Sequence, residues 1–195
     1  MKVVAFNGSP RREGNTKLLI ESVFSVLEEE GIETEFIQLG NKKVHGCTAC
    51  AICKEITDSK CHIKNDYLNF CIEKMVEADG IIIGSPVYFA DVTTEVKALI
   101  DVAGYVARAN GHIFKRKIGA GLIAVRRGGA LPTFNTLNNF FLINQMIVPG
   151  SSYWNFAFGR NPGEVLTDKE GMQTMHDLGE NMAWLLQKTV GQNRE

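Results

Sequence analysis

Nothing in this chain of 195 residues is apolar for long enough to cross a bilayer, and the apolar run after Met1 falls short of a secretory h-region. No membrane association is expected, and a cytoplasmic location is. Charge of one sign is lacking too. With 21 basic and 22 acidic side chains interspersed for a net charge of -1, there is no electrostatic footprint for nucleic acid or an anionic lipid surface. The four histidines, at 45, 62, 112 and 176, form no i,i+4 pair and no nucleophile–base arrangement, and read as surface or loop residues. A serine nucleophile elbow is absent, and Glu28-Glu29-Glu30 belongs to a solvated helix end.

The composition, 45% hydrophobic and 22% charged, is that of a globular protein, and the length suits a single domain spanning 1–195. Five short, β-rich runs punctuate it: 2–6, 34–39, 80–85, 117–125 and 146–150. The first, third and fourth are almost continuously apolar, as in parallel strands covered on both faces. Amphipathic helices are predicted over 15–31, 66–80, 93–111 and 131–145. A fifth follows from 167, where Thr167 and Glu170 have the spacing of a capping box. This alternation predicts right-handed crossovers and an open α/β sheet of order 2-1-3-4-5. Two interruptions stand out: a cysteine-rich loop after the second strand, about 45–65, and a Gly-rich connection after the fourth. Loops that long in a compact domain are usually functional.

Ligands of such a sheet bind beyond the carboxyl ends of its strands, which directs attention to the loop after the first strand, NGSPRREGNT at 7–16. It runs straight into a helix, whose first amides and dipole favour a phosphate. Ser9, Asn15 and Thr16 add neutral donors, and Arg11 or Arg12 can add charge. Five residues separate Gly8 from Gly14 and Asn-Thr follows, which excludes a Walker A loop; the G-x-G-x-x-G dinucleotide fingerprint is absent as well. The rival reading is a plain turn with an N-cap.

Four of the five cysteines, Cys47, Cys50, Cys53 and Cys61, make C-x2-C-x2-C-x7-C. The first three have the tight spacing with which one ferredoxin loop reaches three corners of a [4Fe–4S] cube; the fourth, local and without a following proline, departs from that pattern. Zinc, with His45 or His62 as substitute ligands, and free redox thiols remain open. Cys71, with Leu68, Ile72 and Met75 at helical spacing, reads as a buried core thiol.

GSPRREGNT after the first strand and SPVYFADVT after the third resemble the NADPH-dependent FMN reductase family, and the cysteine loop resembles the iron–sulfur flavoprotein branch of it. The resemblance implies a flavodoxin-like three-layer sandwich and FMN. Ser9, Arg11, Asn15 and Thr16 would then hold the phosphate, and Ser85, Pro86, Val87, Tyr88 and Phe89 would lie along the isoalloxazine ring. Gly128 and Gly129, in RRGG, would meet the flavin edge. As residues alone, Tyr88 and Phe89 could equally be core, Gly128-Gly129 a simple turn, and Arg126 and Arg127 solvated or facing a pyridine-nucleotide phosphate. The aromatics of Trp154-Asn155-Phe156 are expected to pack in the core, with the flavin site or a subunit interface as the alternatives. The resemblance further implies a [4Fe–4S] cluster on the four cysteines near the flavin, electron transfer between the two, and a homodimer or homotetramer with the cysteine loop near an interface. NAD(P)H, a small molecule or a ferredoxin-type protein would be donor or acceptor. Two other readings are carried: an NAD(P)H-dependent flavin or quinone reductase without a cluster, and a non-enzymatic flavin or thiol redox sensor.

Overall fold

The computed structural model describes residues 1–63 and 66–190, so the end of the cysteine-rich loop at 64–65 and the last five residues lie outside the described residues. The elements run β1 (Lys2–Asn7), α1 (Asn15–Glu29), β2 (Glu33–Gln38), α2 (Ile52–Glu55), α3 (Asp66–Glu77), β3 (Gly80–Pro86), α4 (Thr94–Ala109), β4 (Ile118–Val125), α5 (Ala130–Ile143), β5 (Phe156–Phe158) and α6 (Lys169–Thr189). All strand pairs are parallel, in the order β2-β1-β3-β4-β5. Such pairing requires crossovers, and the helices that provide them cover both faces. The cysteines at 47–61 follow β2, as expected.

Strand side chains alternate between two apolar clusters. Val4, Phe6, Ile81, Ile83, Ile123 and Val125 pack under α3, α4 and α5. Val3, Ala5, Ile82, Ala120 and Leu122 pack under α1 and α6. On β4 the α5-facing positions 119 and 121 are glycines. A Cβ there would stand 2.7 Å from the Phe141 ring and 2.9 Å from Leu137 Cδ1, so the missing side chains let α5 seat directly on the strand.

The fifth strand differs from expectation. Of the predicted run 146–150, only Ile147 makes a bridge, to Ile118, with its amide donating to Lys117 O at 3.0 Å. Pro149 has no amide to continue the ladder. The strand proper is Phe156–Phe158, registered with Ile123–Val125 at the other end of β4. Between them the chain bulges outward, pinned by Ser151 Oγ donating to Asn155 Oδ1 at 2.6 Å. Of the aromatic triplet expected in the core, Asn155 is buried, Phe156 half-buried and Trp154 exposed.

The start of α6 differs as well. Asp168, not Thr167, is the N-cap: its Oδ1 accepts from Gly171 N at 3.0 Å and its Oδ2 from Phe158 N at 2.7 Å, joining the helix to β5. Thr167 Oγ1 donates to Glu164 O. Asp168→Ala is therefore expected to cost about 1–2 kcal/mol in urea unfolding, and Thr167→Ala a few tenths; equal losses would restore the capping box.

Candidate functional site

At the carboxyl ends of β1, β3, β4 and β5 lies a cavity of about 260 Å³. Ser9, Arg11, Asn15 and Thr16 border it from the first loop, Pro86, Val87 and Tyr88 from the end of β3. Ala124, Arg126, Gly159 and Arg160 close the far side, after β4 and β5.

The first loop is held open by Asn7 at its start and by neighbouring elements. Asn7, fully buried, donates from Nδ2 to Gln38 Oε1 at 2.8 Å and accepts from Ser9 N at 3.1 Å. Gln38 in turn donates to Ser9 O at 2.7 Å. On the other side Gly8 N donates to Gly84 O at 2.8 Å, and Thr93 Oγ1 donates to Gly8 O at 3.0 Å. A Cβ on Gly8 would lie 2.2 Å from Val96 Cγ2, so glycine is required by the close approach of α4.

With the loop so fixed, α1 begins at Gly14 with no side-chain cap and no acidic residue in its first turn. Thr16 is 1% exposed, and its Oγ1 has no hydrogen-bond partner. Ser9 Oγ accepts from Arg11 N at 3.2 Å, which leaves its own proton for another acceptor. Asn15 Oδ1 accepts from Gly163 N at 2.8 Å. Arg11 reaches over the cavity and donates to Arg160 O at 3.2 Å. Uncapped amides, an orphan hydroxyl and three guanidinium groups are together able to hold an anion.

Four of the expected contacts stand off this cavity. Ser85 is fully buried, donating to Pro86 O and accepting from Thr93 N, so it braces the loop. Phe89 and Ala90, at φ 50° and 62°, form the tip of a tight turn closed by reciprocal Tyr88–Asp91 bonds, and Phe89 is fully exposed. Gly129, at φ 87°, is the N-cap of α5 and approaches Val87 and Ala90, while a Cβ on Gly128 would meet open space. Sequence reasoning missed Gly159 and Arg160, because the fifth strand was expected ten residues early; a strand at 156–158 would have marked them by the rule that ligands bind past strand ends.

The cysteine loop packs elsewhere. Its pocket is lined by Cys47, Cys50, Cys53 and Cys61 against Val102, Tyr105 and Val106 of α4, and it shares no residue with the first cavity. Cys47 and Cys50 are exposed, Cys61 half-buried and Cys53 buried. Ala49 and Ala51 adopt φ 57° and 63°, left-handed turns between successive cysteines. Burial pushes the Cys53 thiol up, and the neighbouring Cys47, Cys61 and Cys50 add to this. Four such thiols are the donor set of an iron–sulfur cluster or of zinc.

Over residues 1–161 the chain matches the family described as NADPH-dependent FMN reductase. An iron-sulfur flavoprotein of Methanocaldococcus jannaschii is 42% identical over 191 residues, 94% of this chain and 96% of that one. An iron-sulfur flavoprotein of Methanosarcina thermophila is 32% identical over 197 residues, covering 100% of both. This chain belongs to the NADPH-dependent FMN reductase family. Within it, these relatives place the chain in the iron–sulfur flavoprotein branch, and it is a flavin-dependent oxidoreductase. Solved structures agree on the flavodoxin-like fold. RosB, with a bound riboflavin-phosphate intermediate, superposes at TM-score 0.73 with 19% identity over 97% of this chain and 81% of that one. An NAD(P)H:quinone oxidoreductase from Methanothermobacter marburgensis superposes at 0.71 with 15% identity over 93% and 96%. No helix among the described residues of this FMN reductase relative is long and apolar enough to cross a membrane.

The fifth thiol stands apart. Cys71 is fully buried on α3, and burial pushes it from an ordinary value of 9.0 up to about 12. The unfolded chain ionises this thiol first, so its contribution to stability is intact below pH 9 and is lost as pH rises toward 12, by up to roughly 4 kcal/mol. Urea unfolding of wild type and Cys71→Ala across that range should show the wild type falling more steeply; parallel slopes would contradict the burial.

Proposed function

We propose that the chain is an electron-transfer oxidoreductase that carries FMN in the 260 Å³ cavity and a [4Fe–4S] cluster on Cys47, Cys50, Cys53 and Cys61. The observation that carries the flavin assignment is the unpartnered, buried Thr16 hydroxyl beside the uncapped first turn of α1. A phosphate monoester satisfies both. Ser9 and Asn15 border the same point, and Arg11 adds charge. Val87 and Tyr88 offer an apolar and aromatic wall for the ring, with Pro86 beside them. Phe89, Ser85, Gly128 and Gly129 serve this reading at one remove: they shape the turn and the α5 terminus behind that wall.

The sequence spacing of the cysteines, C-x2-C-x2-C-x7-C, supports a cluster over zinc, because structural zinc sites usually pair their ligands as C-x2-C twice with a wider gap. When bound, FMN exchanges electrons in pairs or singly and the cluster singly, so the two together link hydride and one-electron chemistry.

The two sites share no lining residue, and we propose a homodimer or homotetramer in which the cysteine loop lies near a subunit interface, so that electrons can cross between protomers. The exposed Cys47 and Cys50 sit in a loop with lysines 42, 43, 54 and 60 against Glu55 and Asp58. This net positive rim suits an acidic, ferredoxin-type carrier in the cytoplasm. The family's description as NADPH-dependent and the exposed Arg126 and Arg127 favour a second reading, an NAD(P)H-dependent flavin or quinone reductase.

Purified without oxygen, the protein should contain FMN, iron and acid-labile sulfide in the ratio 1:4:4, a cluster's stoichiometry. FMN without iron would leave the second reading; no flavin would sink both. Thr16→Val should weaken FMN binding about 10-fold or more in a fluorescence titration, a lost hydrogen bond to a charged group. The flavin-free variant should unfold no more easily than flavin-free wild type, since the orphan hydroxyl is gone. Unchanged affinity would remove Thr16 from the site.

A further inference from the structure

Past the end of β5 the chain turns through GRNPGE, residues 159–164, whose first two residues border the 260 Å³ cavity. Glu164, which does not line the cavity, closes this loop on itself. Its Oε2 accepts from Arg160 N at 2.7 Å and from Asn161 N at 3.0 Å, and its Oε1 accepts from Asn161 Nδ2. Its own amide donates to Asn161 O at 3.1 Å. The bonds from Asn161 and Arg160 hold its carboxyl below the ordinary value of 4.5, so it is a charged acceptor at neutral pH.

Two of the groups proposed above for the phosphate lean on the backbone of this loop. Arg11 Nη1 donates to Arg160 O at 3.2 Å, and Asn15 Oδ1 accepts from Gly163 N at 2.8 Å. The Arg160 carbonyl and the Asn161 N–H belong to one planar trans peptide unit and point in opposite directions. By taking the N–H, Glu164 turns the carbonyl toward Arg11, and one peptide thus stands between a carboxylate and a guanidinium. Asn15 is oriented likewise. With its oxygen engaged by Gly163 N, its Nδ2 is the edge left to donate; reversed, the amide would present an acceptor to an anion.

We propose that Glu164 is a positioning residue for the flavin phosphate: through the backbone of 160–163 it sets the Arg11 guanidinium and the Asn15 amide, and so gives the site its preference for a phosphorylated flavin over the same flavin without phosphate. The assignment rests on FMN occupying the cavity and extends its recognition to a side chain outside the lining. Charge alone predicts the reverse. A carboxylate close to a bound phosphate repels it, so removing that carboxylate would tighten binding if charge decided.

The test titrates the full flavin-free chain with FMN and, separately, with riboflavin, following flavin fluorescence in wild type, Glu164→Ala and Glu164→Gln. Glutamine keeps an oxygen for the two backbone amides and removes the charge, so it separates the two effects. Glu164→Ala should weaken FMN binding about 10-fold or more and riboflavin binding less than about 2-fold, while Glu164→Gln stays within about 3-fold of wild type for both. FMN affinity that is unchanged or higher in Glu164→Ala overturns the inference. So does equal weakening of both flavins, which would make Glu164 a support of the fold alone. A loss in Glu164→Gln as large as in Glu164→Ala overturns it too, because the retained acceptor would then count for nothing. Wild type that binds riboflavin as tightly as FMN refutes the phosphate site itself, and the placement of FMN falls before the role of Glu164 is reached.

Discussion

The first turn of α1 keeps its amides without a side-chain cap, and much of the polar machinery around it serves to keep it so. A short polar loop left to itself folds back, and a serine or asparagine caps the helix it precedes. Here Asn7 and Gln38 hold the backbone of Ser9 from one side, and Thr93 holds that of Gly8 from the other. Thr93 is itself fixed by Ser85. The uncapped turn is therefore maintained by strands β1, β2 and β3 together, and its geometry belongs to the sheet as much as to the loop.

The same division of labour recurs at the cysteines. Of the residues with the chemistry Cys47 and Cys50 are exposed, Cys61 is half-buried and Cys53 is buried, while the residues that grip the backbone of Cys53 and Cys61, Asn110 and Asn69, are on or at the ends of helices. Loops positioned by a rigid scaffold are the common location of function. In this chain the scaffold acts through side-chain-to-backbone bonds, so the identities of residues 54–60 matter less than where their backbone is gripped.

The sequence carries most of this, unevenly. Strands with continuous apolar runs and helices of clear period were legible because both faces of the sheet are covered. The short β5 was not: three residues, FAF, raise no periodic signal, while the apolar MIVPG nearby does, although Pro149 stops the ladder there. That displacement hid Gly159 and Arg160. Thr167 and Glu170 have the spacing of a cap, but Asp168 is the residue that reaches both Gly171 N and Phe158 N, a tertiary demand no local pattern displays. Cys47, Cys50, Cys53 and Cys61 were legible by spacing. Their two asparagines were not, since an isolated polar residue on a helix reads as a solvated one.

The sheet's two edges also bear on how copies of this protein meet. An edge strand offers unpaired amides and carbonyls to any other chain, a template for aggregation. The β2 edge carries Glu33 and Glu35, tied to Lys2 and Lys74 as a charged border. The opposite edge is broken: β5 is three residues long, and the outward bulge and Pro149 interrupt the line between it and Ile147. One border repels strand addition by charge and the other by brevity. Self-association through strand edges is thereby discouraged, which leaves helix faces and loops as the surfaces on which an ordered assembly can form.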